Sequence, residues 1–261
     1  MPQQSKDIKS ETNYCSMKIL VCISNVPDTT AKIAFTDNDT KFNKAGVQYI
    51  IGPYDDYALA RAVELKEQLG GSITVLNVGE AEGEPQIRKA LAIGADDAIR
   101  VNCEPSDSYF VAAQIANCAK EGAYDLILMG RESIDFNSGV VHGLVGEMLG
   151  IPSFSPVMKL DIEGNTAKFA REIEGGKEYL EASLPLVLGC QEPIAEWKIP
   201  NMRGIMTART KPLRVAEPVA VESVATLQQY TLPAPKSSVK MIAADDVEQL
   251  VKLLRTEAKV L

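Results

Sequence analysis

A chain of 261 residues, 46% hydrophobic and 24% charged, has room for one large globular domain with an appendage, or for two small domains. A net charge of -8 gives no general basic field for nucleic acid, although Lys and Arg are dense between Arg203 and Arg214, where a basic docking patch is conceivable. No apolar run reaches the ~18 residues of a membrane span, and five scattered cysteines (Cys15, Cys22, Cys103, Cys118, Cys190) without CxxC spacing suggest neither a disulfide framework nor a zinc site, so a reducing, bacterial-type cytoplasmic setting is expected.

Residues 1–16 are polar and lack the apolar core of a signal peptide; they read as a disordered extension, and Met17 offers an alternative start to Met1. Lys18-Ile19-Leu20-Val21-Cys22-Ile23-Ser24 is the first strand. Residues 32–36 and 46–51 flank the polar turn Asp37-Asn38-Asp39 and predict a hairpin. Gly52-Pro53 opens a helix in which Ala58, Ala62, Leu65 and Leu69 recur at helical spacing and which Gly70-Gly71 closes. A strand over 72–78, a helix from Gly83-Glu84-Pro85 to Gly94 and a strand over 97–101 follow. Ser106 or Ser108 is suited to cap the next helix, whose buried face is Val111, Gln114, Ile115 and Cys118.

That helix leads to the unbroken apolar run 126–129, a buried strand, followed by a Gly-, Ser- and Asn-rich turn that opens another helix at about Val141. Strands and helices thus alternate from Met17 to Leu149. Such alternation predicts right-handed βαβ crossovers and a doubly wound, mostly parallel sheet of Rossmann-like type, with ligands at the carboxyl ends of its strands. The turn after residue 129 then presents free backbone N–H groups and the positive end of a helix dipole, which suits a phosphate. It matches neither GxGxxG nor GxxxxGK[ST].

After Pro152, β-like pieces over 157–161, 167–172, 178–181 and 186–190 predict antiparallel additions to the sheet. Residues 193–200 form a proline-bounded loop with Ile194 and the only tryptophan, Trp197. Prolines recur in the arm 216–239, and Val247, Leu250, Val251 and Leu254 make the stripe of a terminal amphipathic helix. A nucleotide-binding domain over 17–215 and an arm plus helix over 216–261 that needs a partner surface are expected. His142, the one histidine, reads as a polar residue in a helix first turn. Paired acids such as Asp55-Asp56 read as capping groups, and no Ser/His/Asp or Cys/His set can be assembled. No bond-making or bond-breaking role is read from these residues.

Six stretches together resemble the family of β (small) subunits of electron-transfer flavoproteins, from about Met17 to the end of the chain. They are Lys18-Ile-Leu-Val-Cys-Ile-Ser; Gly52-Pro-Tyr-Asp-Asp-Tyr-Ala; Ile87-Arg-Lys-Ala-Leu-Ala-Ile-Gly-Ala-Asp; Asp125-Leu-Ile-Leu-Met-Gly-Arg-Glu-Ser-Ile-Asp; Ala170-Arg-Glu-Ile-Glu-Gly-Gly-Lys-Glu followed by Leu184-Pro185; and Arg203-Gly-Ile-Met-Thr-Ala-Arg-Thr-Lys-Pro. Their order is the family's order. The resemblance implies an adenine-nucleotide-hydrolase-like fold and a heterodimer whose α subunit carries the redox-active FAD. It implies AMP in this subunit, or a second FAD in bifurcating relatives. Flavin-containing dehydrogenases would donate electrons, and an acceptor such as a quinone oxidoreductase would receive them.

Matched position by position, the family's nucleotide contacts fall on Cys22; on Gly52, Pro53, Tyr54 and Asp55; on Val78; and on Gly130, Arg131, Glu132, Ser133, Ile134, Asp135, Phe136, Asn137, Ser138, Gly139, Val140 and Val141. The family's partner-recognition loop falls on residues 191–200, with Ile194 as chief anchor and Trp197 beside it. Two departures stand out: Gly52-Pro53 where many relatives read Asn-Pro, and Gly139-Val140-Val141-His142 where they read Gly-Gln-Thr/Val-Gly. These leave the choice of AMP or FAD open. A nucleotide-using α/β enzyme such as an ATP-dependent ligase would need a Ser/Gly phosphate loop after the first strand, which Asn25-Val26-Pro27-Asp28 does not supply. A stand-alone adenine-nucleotide-binding module would leave the arm unexplained.

Overall fold

The computed structural model describes residues 16–235 and 238–261, so the extension expected over 1–16 lies outside it except for Ser16. In chain order the elements are β1 (Lys18–Cys22), β2 (Asn25–Pro27), β3 (Phe35–Thr36), β4 (Lys41–Phe42), β5 (Tyr49–Ile51), α1 (Pro53–Leu69), β6 (Ser72–Val78), α2 (Glu84–Ile93), β7 (Asp97–Val101), α3 (Ser108–Gly122), β8 (Leu126–Gly130), α4 (Val141–Leu149), β9 (Ser153–Glu163), β10 (Thr166–Ile173), β11 (Gly176–Ser183), β12 (Leu186–Cys190), α5 (Met202–Ala208), β13 (Leu213–Ala216) and α6 (Val247–Leu253). No helix among the described residues is long and apolar enough to cross a membrane.

Nine strands form one sheet in the order β11-β10-β9-β12-β8-β1-β6-β7-β13. From β1 the chain winds outward through β6, β7 and β13 on one side and through β8 and β12 on the other, all mutually parallel. The strand order therefore reverses between β1 and β8, the place where a doubly wound sheet opens a crevice. Every residue of β8 and of β12 is buried, as expected for parallel strands covered on both faces. Residues 186–190 are thus a core parallel strand and not an antiparallel addition: five consecutive buried residues cannot be accommodated on a sheet with one wet face. β9, β10 and β11 do form the antiparallel extension, and β9 joins it to β12 in parallel.

Strand alternation splits the core. Ile19, Val21, Ile73, Val75, Leu126, Leu128 and Leu188 face α1 and α2, meeting Leu59, Ala62, Leu65, Ile87 and Leu91. Leu20, Leu76, Ile99, Ile127 and Met129 face α3 and α4, meeting Ile115, Cys118 and Val145. The N-cap of α3 is Asp107, not Ser106 or Ser108. One of its oxygens accepts the Phe110 N–H (2.7 Å) while the other holds the N–H groups of Val224 (2.6 Å) and Ala225 (2.8 Å), a double duty no hydroxyl can match. Gln114 is buried in the apolar face of α3 because both ends of its amide pair with the Val219 backbone, at 2.8 and 2.9 Å.

The hairpin expected over 32–51 is divided. Only Phe35–Thr36 and Lys41–Phe42 pair across the turn, where Asp37, Asn38 and Asp39 all have positive φ, while Tyr49–Ile51 pairs antiparallel with Asn25–Pro27. The described chain makes two compact units, one of residues up to 34 with 43–227, the other of 35–42 with 228–261. Within the second unit Phe35 stacks on Tyr230 (4.6 Å), whose N–H donates to the Asp39 carbonyl (2.7 Å), and Asp246 caps α6.

Candidate functional site

Cys22, Val78 and Gly130 stand at the carboxyl ends of β1, β6 and β8, on the edge where the strand order reverses. Gly52 and α1 close over the same edge. The Gly52 N–H donates to the Ser24 carbonyl (3.1 Å), and its own carbonyl accepts the N–H groups of Asp55 (2.8 Å) and Asp56 (3.0 Å). Asp55 is buried, and its carboxylate accepts from the Ser24 N–H (2.8 Å), the Ser24 hydroxyl (2.5 Å) and the Gly130 N–H (2.7 Å). One side chain therefore ties the ends of β1 and β8 to the start of α1. Burial pushes the Asp55 pKa up to about 6, against the hydrogen bonds from Ser24 and Gly130.

Close packing around this carboxylate demands glycines. A Cβ at Gly52 would lie 2.4 Å from both an Asp55 oxygen and the Ser24 hydroxyl, and one at Gly130 would lie 2.6 Å from Asp55 and 2.7 Å from the Tyr54 Cβ. Here the departure Gly52-Pro53 has its physical reason: Ser24 and Asp55 already fill the space a larger residue would need. Ser24 carries no mark of this role in the sequence, because its partners lie 31 residues away on another element.

Arg131 leaves β8 with its N–H on the Cys190 carbonyl (2.9 Å) and its guanidinium over the Tyr54 ring, 5.3 Å from the centroid. It also donates to Glu132 (3.0 Å) and to the Gln191 amide oxygen (3.0 Å), and Gln191 donates in turn to Glu172 (2.6 Å). That chain links the loop to the Ala170–Glu178 stretch. Beyond it the loop is wound tightly: the Asn137 N–H donates to the Ser133 carbonyl (2.8 Å), Asp135 accepts from the Phe136 N–H (3.0 Å), and Ser108 donates to Ser138 (2.9 Å). Asn137 and Gly139 have φ of 50° and 61°. In the orientation that satisfies both ends of its amide, Asn137 donates to the carbonyls of Ile134 (2.8 Å) and Ser133 (3.2 Å). Helix α4 then starts at Val141 with no side-chain cap, as do α1 and α2, whereas α3, α5 and α6 are capped by Asp107, Asn201 and Asp246.

The structure therefore brings Cys22, Gly52, Pro53, Tyr54, Asp55, Val78 and the 130–141 loop to one edge. Asp55 differs from the rest: its carboxylate already accepts three donors from the protein, so it frames the edge. Ile194 is a correction. It is 6% exposed and belongs to the larger core cluster, its N–H turned onto the Gln191 carbonyl (3.0 Å), because the loop folds back at once after β12. The apolar side chains this loop and α5 do present are Trp197 (57% exposed), Ile199 (74%), Met202 (75%), Ile205 (41%) and Met206 (70%).

Fold and edge together define a doubly wound α/β protein with its ligand crevice at the strand-order reversal. The model of the Electron transfer flavoprotein domain family matches residues 39–221. Electron transfer flavoprotein subunit beta of Bacillus subtilis (strain 168) is 36% identical over 260 residues, 94% of this chain and 100% of that protein. The protein of the same description from Syntrophomonas wolfei is 36% identical over 225 residues, 85% and 88% of the two chains, and that from Mycobacterium tuberculosis (strain H37Rv) is 32% identical over 207 residues, 76% and 77%. The chain belongs to the electron transfer flavoprotein family, whose name is that of an electron carrier and not of an enzyme.

Proposed function

We propose that this chain is the β subunit of a heterodimeric electron-transfer flavoprotein, and that an adenine nucleotide occupies the edge formed by β1, β6, β8 and the start of α4. The observation that carries the nucleotide reading is the uncapped start of α4, placed beside the strand-order reversal and framed by Asp55. The residues fit a phosphate group: first-turn N–H groups meet no side-chain cap, and a Cβ at Gly139 would find no atom nearer than 3.8 Å, so the backbone can be approached closely. AMP is the first choice of ligand and a second FAD, as in a bifurcating variant, the alternative; the redox-active FAD belongs to the α subunit and supplies the electron chemistry when bound. This chain's own residues bind and orient. Arg131, clamped by Tyr54, Glu132 and Gln191, stiffens the loop, and Asp55 holds the strand ends in register with it.

Electrons would enter from flavin-containing dehydrogenases and leave to an acceptor such as a quinone oxidoreductase. Trp197, Ile199 and Met202, flanked by exposed Arg203 and Arg209, form an apolar face with a basic rim suited to docking such partners. Co-expression with the α subunit tests the assembly. A one-to-one complex carrying flavin is the expected result; a chain that purifies as a monomer and never captures the α subunit would favour the stand-alone module.

A further inference from the structure

His142 stands at the position where the phosphate turn of the resembled family reads Gly, and the fold has built a niche for its ring. Nδ1 lies 3.2 Å from the Ser153 hydroxyl. Behind it, β12 makes room: a Cβ at Gly189 would lie 2.9 Å from His142 Cδ2 and 2.6 Å from the Ser155 hydroxyl. Gly139 itself turns at φ 61°, the last bend of the loop before α4.

We propose that His142 is a positioning residue, whose ring, seated against Gly189 and paired with Ser153, holds the first turn of α4 where its N–H groups can meet the phosphate. This rests on the reading of that edge as a nucleotide site. A neutral imidazole presents one donor and one acceptor, and the Ser153 hydroxyl can pair with either. Glutamine offers the same pair and alanine offers neither. The packed surroundings are uncharged: Ser153 and Ser155 come from β9 and Gly189 from β12. Ionised groups sit further along the packed elements, namely Glu147 on α4, Lys159 and Asp161 on β9, Arg131, Glu132 and Asp135 on the loop, and Lys120 and Glu121 at the far end of α3.

The role has a sign. Burial lowers the His142 pKa below its ordinary 6.5, so the folded niche favours the neutral ring. Its contribution is present above the unfolded value and fades as pH falls through 6.5 toward the lower folded value. An imidazolium acting by direct attraction to a phosphate would do the opposite and tighten binding in acid.

The test uses the heterodimer purified with its α subunit as wild type, His142→Gln and His142→Ala. Each is dialysed between pH 5.5 and 8, and retained adenine nucleotide is counted after acid extraction. Wild type should hold its nucleotide at pH 7.5 and lose it progressively toward pH 5.5. His142→Gln should match it at pH 7.5 and decline less in acid, the difference isolating His142 from Asp55, which titrates in both. His142→Ala should retain about fivefold less than wild type at pH 7.5, the factor one net hydrogen bond carries, and the gap should narrow toward pH 5.5, with flavin content kept. Full retention by His142→Ala overturns the proposal, as does retention that rises in acid in wild type alone. A wild-type complex without adenine nucleotide at any pH overturns the site reading itself.

Discussion

Asp55 shows how much one buried carboxylate can organise when three donors from two strand ends converge on it. Its folded pKa, about 6, lies above the ordinary 3.8, so its contribution to stability is fully present below pH 3.8 and is lost as pH rises through about 6. Chemical denaturation of wild type between pH 4 and 7 should therefore contain a falling component that Asp55→Asn lacks. At pH 4 the variant should be the less stable by ~1–3 kcal/mol, since one of the Ser24 donors then loses its acceptor. A pH profile identical in both proteins would deny the carboxylate this role. Gly139 gives a second residue-scale prediction. A side chain there meets open space but must adopt φ 61°, so Gly139→Val should cost ~1–2 kcal/mol in backbone strain and expel the nucleotide, read by chromatography after denaturation.

At the scale of elements, the βα alternation, the buried strand at 126–129 and the loop after it were legible because hydrophobic period and glycine punctuation are local signals. What lay hidden depended on distant partners. Asp107 outcompeted two serines as a cap because its second oxygen serves Val224 and Ala225, more than a hundred residues on. Ile194 looked like an anchor because its loop is bounded by prolines, yet the loop's immediate reversal buries it and leaves Ile199 outside. Ile194→Ala should accordingly cost ~2–5 kcal/mol in urea. Ile199→Ala should leave the thermal midpoint alone and slow electron transfer from the partner dehydrogenase; the reverse pattern would restore Ile194 as the anchor. Helix α5 is held against α2 by backbone contact, with a Cβ at Gly204 falling 2.2 Å from the Ala92 carbonyl oxygen. Arg88 and Lys211 reinforce it by donating to carbonyls of the opposite segment. Gly204→Ala should cost ~1–3 kcal/mol by denaturant midpoint and perturb the docking face with it.

For the molecule as a whole, the first unit carries the sheet, both cores and the candidate site, while the second consists of a hairpin, a proline-bearing arm, and helix α6 continued by a wider helical turn over Leu254–Ala258, with no buried residue in either. So short a helix is not stable by itself in water. Its Val247 and Leu250 are 61% and 43% exposed, which fits an arm that needs a partner surface. The most direct test of the account is a count of adenine nucleotide in the purified heterodimer. Acid extraction should release one AMP, or one further FAD, per heterodimer beyond the α-subunit flavin, and that nucleotide should be lost in Gly139→Val. Flavin from the α subunit alone, with no second adenine nucleotide in wild type, would contradict it.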